Sequence, residues 1–184
     1  MRHSHEILDE ASRLIFRLLS YDPGTGDFHW LEKDDSFAHW KQWNSRWAGK
    51  RAGTNSRSYV FISLIIFGKP VNFRAHRIAW LISTGKWPSL EIDHINHNRK
   101  DNRFLNLKEA SSSENAMNKM LPERNTSGYV GVSKQKNSNT WFCYAAINKK
   151  RKCFYGFKTA EDAHKKIAEY RLNNGFSPTH GYKK

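Results

Sequence analysis

The longest strongly apolar stretch in this chain is Tyr59–Phe67. That is enough for one buried strand, but a bilayer crossing needs roughly 20 residues. The 184 residues must therefore fold from short strands and amphipathic helices, as one ordinary domain or two small ones. The chain carries 31 Lys and Arg against 17 Asp and Glu, a formal net charge of +14. Such a surplus implies a polyanionic partner, most commonly nucleic acid, and argues against a neutral enzyme of small metabolites. A 38% hydrophobic and 14% aromatic content excludes a disordered basic tail. Two cysteines are too few for a disulfide framework or a four-thiolate zinc site. Met1–Glu10 is polar and acidic where a signal peptide would be apolar, so a cytoplasmic, intracellular protein without membrane association is expected.

The charge is unevenly spread. Residues 1–90 are net +5, residues 91–120 are neutral, and residues 121–184 are net +9. A neutral island in a basic chain is either a solvated mixed-charge surface or a place where acids are kept to hold a cation.

Apolar residues at helical spacing predict a helix over Glu6–Ser20, followed by a turn at Asp22–Gly26 and a strand at Asp27–Glu32. Residues 33–47 are Trp-rich and polar and give no clear period. Strands are expected at Tyr59–Phe67 and Val71–Phe73, joined at Gly68–Pro70. A helix then follows over Arg74–Thr84, with Gly85 as its C-cap. Short strands at Leu90–Asp93 and Leu105–Glu109 flank a polar loop. Ser111-x-x-Glu114 has capping-box spacing and starts a helix to about Lys119. Met120–Ser127 reads as a linker. Beyond it come strands at Tyr129–Ser133, Trp141–Ile147 and Lys152–Phe157. Thr159 then caps a helix to about Asn174, with Asp162 completing a second capping box. The pattern is α+β. The expected boundaries are an N-terminal α+β segment at 1–73, a core at 74–120, a linker at 121–127 and a C-terminal domain at 128–184.

The chemistry-bearing stretch is Ile92-Asp93-His94-Ile95-Asn96, then Asp101-Asn102-Arg103-Phe104-Leu105-Asn106-Leu107, then Glu114-Asn115-Ala116-Met117-Asn118. It sets a carboxylate beside a histidine at a strand end, an asparagine 12 residues on, and another 9 beyond that. A helix packed on a hairpin brings Asp93 and Asn115 together as hard oxygen ligands, which suit Mg²⁺. His94 then stands beside the cation without binding it, and a neutral imidazole there can take a proton from water. Asp93 and His94 alone would read as a surface pair; the two asparagines at these spacings argue otherwise. His94-x-x-His97 as a transition-metal pair lacks the further nitrogen or sulfur ligands it would need.

This arrangement resembles the HNH family of nucleases over roughly His76–Lys119. The resemblance includes the upstream Ala75-His76-Arg77-Ile78-Ala79-Trp80 and Gly85-Lys86-Trp87-Pro88 elements. It implies a ββα-metal (His-Me finger) core. Asp93 and Asn115 are then metal ligands, His94 is the general base, and Asn106 fixes the loop that presents His94. Asn115 in the third position is similar to the phage and intron homing subgroup. His97 departs from the pattern, since relatives often have Gly there. Mg²⁺, with Mn²⁺ as a substitute, is the implied cofactor, and no zinc is expected. His76 is either a helix-packing residue or a group near the scissile phosphate. Arg77 and Arg103 are phosphate contacts or hairpin ion pairs. Lys119, four residues after Asn115, is a candidate phosphate contact.

Asn125–Val132, Trp141 and Tyr155–Ala163 together resemble the APETALA-type DNA-binding domain over residues 125–175. The resemblance implies a three-stranded antiparallel sheet plus one helix, with the sheet lying in the major groove. Its face there carries Ser133, Gln135, Phe142, Tyr144 and Arg151 where the family is often arginine-rich. Gln135 suits adenine and the aromatics suit thymine methyls or sugars, or else Phe142 and Tyr144 pack against the neighbouring domain. The basic turn Lys149–Lys152, with Lys150 at its centre, suits phosphates. Cys143 and Cys153 read as reduced packing residues.

The expected function is metal-dependent hydrolysis of phosphodiester bonds in double-stranded DNA by a homing or mobile-element endonuclease. A single site per chain implies nicking by a monomer unless the chain forms a homodimer. The alternatives are a non-cleaving DNA-binding regulator and an RNA-binding or RNA-cleaving protein.

Overall fold

The amphipathic period at the N-terminus becomes helix α1 (His5–Leu18), which buries Ala11, Ile15 and Leu18 along one stripe. The Ser4 hydroxyl caps it by accepting from the Ile7 N–H. The computed structural model describes residues 3–118, 121–122, 124–147, 150–178 and 180–181. It has an α+β architecture of short helices and small antiparallel sheets, and the chain divides into two compact units, Met1–Glu109 and Ala110–Lys184.

In the first unit, β1 (Leu19–Tyr21) pairs with β2 (Phe28–Trp30). The predicted helix thus stops two residues early, because Leu19 turns extended and enters the hairpin. The Trp-rich segment that shows no period contains α2 (Trp40–Trp47), which buries none of its residues. Local contacts hold it. The Asn44 side chain exchanges two hydrogen bonds with the Lys33 backbone (2.8 and 2.9 Å), and Trp30 meets Trp43 edge-on at 5.5 Å.

β3 (Thr54–Asn55), β4 (Val60–Ile66) and β5 (Lys69–Arg74) form an antiparallel sheet in that order. Ile62, Leu64 and Ile66 alternate inward, and the β4–β5 turn is Phe67-Gly68, with positive φ at both residues. α3 (Ala75–Thr84) packs Ala75, Ile78, Ala79 and Leu81 into the same core as α1 and the sheet. It ends at Gly85, whose left-handed conformation (φ 75°) lets its N–H reach Leu81 O. The core is continuous from Ala11 to Leu107, which is why residues 1–109 form one unit and no boundary falls at 73/74. β6 (Glu91–His94) and β7 (Leu107–Ala110) make a two-stranded sheet. A 3₁₀ turn, Phe104–Asn106, takes up the start of the expected second strand.

In the second unit, α4 (Ser112–Met117) opens with the expected capping box between Ser111 and Glu114. β8 (Val132–Lys134), β9 (Trp141–Ile147) and β10 (Lys150–Phe157) form the expected antiparallel meander, and α5 (Ala160–Leu172) covers one face. Val132, Cys143 and Ala145 meet Ala163 and Ile167 in a small core. Thr159 caps α5, but the Asp162 carboxylate accepts from the Thr159 hydroxyl (2.7 Å). Arg171 is buried and donates to Val130 O (2.9 Å) and Tyr144 O (3.2 Å), tying the helix to the sheet. Gly131 sits against this junction with φ 69°, where an added Cβ would collide with Tyr144 O and the Arg171 guanidinium. Both cysteines are free. Cys153 pairs with Tyr144 in the β9–β10 register and so faces away from Cys143.

Candidate active site

The loop between β6 and β7 carries Asn96, Asn98, Asp101, Asn102 and Asn106, and their side chains help fold it. Asn106 is 8% exposed and uses both ends of its amide. Its Oδ1 accepts from Asn96 N (2.9 Å) and its Nδ2 donates to Asp101 O (2.8 Å), while its backbone O accepts from Ile95 N. One buried side chain thus clips the start of the loop to its end. Within it, Asn96 Oδ1 accepts from Asn98 N, Asn96 Nδ2 donates to Asp101, and Asn98 Oδ1 accepts from Lys100 N. Hydrogen bonds from Arg103 hold the Asp101 carboxyl down at about 2.

The N-terminal hairpin braces this loop from outside. Tyr21 donates its hydroxyl to Asn102 O (2.7 Å), and Phe104 N donates to Pro23 O (3.0 Å). Gly26, with φ 79°, lies so close to the Asn102–Arg103 backbone that a Cβ would stand 2.6 Å from Arg103 N. The glycine of the sequence-predicted turn is therefore needed for that approach as well as for the turn.

The clipped loop presents His94 at the end of β6, 4% exposed, with Asp93 half-buried beside it. Burial pushes the His94 imidazole below its ordinary value, while the Asn102 side chain and the Asp93 carboxylate pull the other way. Near neutral pH the ring is uncharged and able to accept a proton. Its buried Nε2 makes no hydrogen bond to any described residue.

His76 packs edge-on against His94, with ring centroids 4.9 Å apart, and is 3% exposed. Burial, then the nearby His94 and the Arg74, Arg77 and Arg99 charges, push it down to about 3. The ring is thus enclosed in packing around His94, the first of the two readings given for it.

Tyr59, absent from the sequence-based site, touches both histidines at 5.3 and 6.3 Å. The exposed guanidiniums of Arg74 (4.6 Å) and Arg99 (5.3 Å) both approach its ring, so two cations stand near the histidine pair. The signal available in the sequence was an arginine two residues before His76 and another five after His94.

Of the two expected arginines, Arg103 makes a two-pronged ion pair with Asp101 (2.9 and 2.6 Å), and Arg77 donates to Pro88 O. His97 adopts a left-handed conformation (φ 62°), and its N–H donates to His94 O (2.9 Å). The position that departs from the family's glycine is thus one that favours glycine.

The remaining expected residues belong to the second unit. Asn115 stands on α4, and Lys119 lies outside the described residues. Ser133, Phe142, Tyr144 and Arg151 share the sheet face opposite α5, and Lys150 is exposed at the start of β10. Gln135 lies in the β8–β9 turn, where its Oε1 accepts from Thr140 (2.9 Å). Among the described residues, no three His, Cys, Asp or Glu side chains gather as a metal cluster. Among the described residues, no helix is long and apolar enough to cross a membrane.

Residues 73–117 match a family model described as HNH endonuclease, a span that holds α3, β6, the clipped loop and β7. Protein 3.8 of Escherichia phage T7 is 36% identical over 69 residues, 37% of this chain; the matched region spans 57% of the phage protein's length. A solved structure titled as DNA binding and cleavage by the HNH homing endonuclease I-HmuI aligns with 85% of this chain and 80% of its own. That alignment has 20% identity and a TM-score of 0.40.

Proposed function

We propose that this chain is a metal-dependent endonuclease that hydrolyses phosphodiester bonds in double-stranded DNA. The observation that carries the reading is an uncharged, buried His94 beside Asp93, on a loop clipped by Asn106, within the residues matched by the HNH endonuclease model. His94 takes a proton from a water. That water's oxygen bonds to phosphorus as the P–O bond to the leaving sugar oxygen breaks. Arg74 and Arg99 attract and hold the phosphate from the Tyr59 side.

The donor set beside His94 fits a hard divalent cation, since Asp93 offers a carboxylate and Mg²⁺ takes few protein ligands. The orphaned buried His94 nitrogen agrees with a site completed by groups from outside the chain. Asp93 would hold the ion, with Asn115 joining it on the strength of the sequence resemblance. The bound ion, Mg²⁺ or Mn²⁺, would supply charge stabilisation at the leaving oxygen.

The homing or mobile-element role extends this reading on likeness to the phage and homing proteins. The C-terminal unit is its second nucleic-acid-binding part, supported by its sheet-plus-helix architecture, its APETALA-type resemblance and the +9 charge of residues 121–184. Supercoiled plasmid incubated with Mg²⁺ should be converted to nicked or linear form and should stay supercoiled in EDTA. Binding to plasmid without conversion in either divalent ion would favour the non-cleaving regulator instead.

A further inference from the structure

The C-terminal sheet has two unlike faces. One carries Val132, Cys143 and Ala145 into the core under α5. The other carries a row of aromatic rings. Phe142 and Tyr144 alternate on β9, their centroids 6.5 Å apart and their planes within 24°. Across the strand pair, Tyr155 stacks beside Phe142 at 5.7 Å and 20°, and is 62% exposed. The Arg151 guanidinium lies over the Tyr144 ring at 3.7 Å, extending the row with a fourth flat, cationic group. Lys150 and Lys152 pair with Ile147 and Ala145 and so lie on the α5 side of the sheet, leaving Arg151 as the cation of this face.

This face lacks the chemistry that reads a duplex groove. Base edges are read by bidentate donors and acceptors. The Gln135 oxygen is engaged by Thr140, and the Arg151 fork lies against Tyr144. What the face offers is π surface beside positive charge. In a duplex the π faces of the bases are hidden in the stack; in an unpaired strand they are exposed. A row of near-parallel aromatics flanked by a cation therefore suits bases that are not paired.

We propose that the outer face of the C-terminal sheet is a stacking platform for unpaired nucleotides, with Tyr155, Phe142 and Tyr144 taking bases and Arg151 serving the phosphates. The inference is independent of the nuclease reading, because none of these residues belongs to the candidate active site.

The test is fluorescence anisotropy of the full chain, in EDTA so that nothing is cut. The probes are a labelled oligothymidine of about twelve nucleotides and a fully paired duplex of similar length. Base–aromatic stacking contributes about 1–3 kcal/mol per base, so Tyr155→Ala should weaken oligothymidine binding by about 5- to 150-fold. Duplex binding should change less than about twofold. Phe142→Leu, which keeps apolar bulk but removes the ring, should do the same, and Tyr155→Phe should bind the single strand like the parent. Equal losses on both probes would overturn the proposal in favour of a groove-reading face. Unchanged oligothymidine binding in both Tyr155→Ala and Phe142→Leu would overturn it in favour of a face without a nucleic-acid role.

Discussion

Acidification should destabilise the first unit through His76, by an amount the structure fixes. The buried imidazole titrates at about 3, against an ordinary 6.5, because the fold gives a charged ring neither water nor a counterion. The folded state therefore binds fewer protons than the unfolded chain. Stability is undiminished above pH 6.5, falls as pH drops below it, and goes on falling to about pH 3. Between pH 8 and pH 5 the unfolded chain takes up nearly a full proton at this site while the folded chain takes up almost none. Linkage then gives a loss of about 2 kcal/mol from His76 alone, a large fraction of a typical domain's ~5–15 kcal/mol. Asp34 and Asp101, held at about 2, lose their contributions only below about pH 4, outside this window. Burial also lowers His3 and His164, but these remain in any His76 variant and so cancel in the comparison. Six of the seven tryptophans precede residue 110, so Trp fluorescence in urea reports chiefly on this unit. Whatever its absolute stability, His76→Phe should lose about 2 kcal/mol less than the parent between pH 8 and pH 5, and His76→Asn should behave alike. A variant with the parent's full pH dependence would refute the reasoning.

His97 should tolerate only glycine well. Its φ of 62° predicts that His97→Gly is more stable than His97→Val by about 2 kcal/mol in urea unfolding, since a β-branched residue is strained there. Asn106→Ala should cost about 1–3 kcal/mol by removing two hydrogen bonds made by a buried side chain, and should slow cleavage by releasing His94; a stable, fully active variant would contradict the clip. The acid limb of the cleavage rate should lie below pH 6.5, because burial lowers the His94 imidazole and the base works uncharged. A midpoint above 6.5 would point to another group.

Much of the architecture was legible because local chemistry and fold agree. The stripe of α1, the Gly85 cap, the Ser111 capping box and the C-terminal meander each have a sequence signature that the structure repeats. α2 was hidden because it buries nothing; side chain-to-backbone hydrogen bonds and Trp contacts hold it, and these leave no period. The strand-to-helix junction at 73/74 looks like a joint in sequence, while the residues on either side of it share one core. The motif could be read along the chain, but its surroundings depend on long-range packing. Tyr59 reaches His94 from 35 positions away, and the Pro23 turn braces Phe104 from 81 away. His76 was ambiguous because a histidine's burial, which decides whether it packs or touches a ligand, is set by the tertiary fold.

The central claim is that His94 is the base, and the cleavage rate of His94→Ala measured beside its DNA affinity tests it most directly. The imidazole acts on water and does not grip the duplex, so binding in EDTA should stay within about twofold of the parent. The Mg²⁺-dependent cleavage rate should fall ~10²–10⁴-fold. A His94→Ala protein that binds and cuts at near the parental rate would contradict the account.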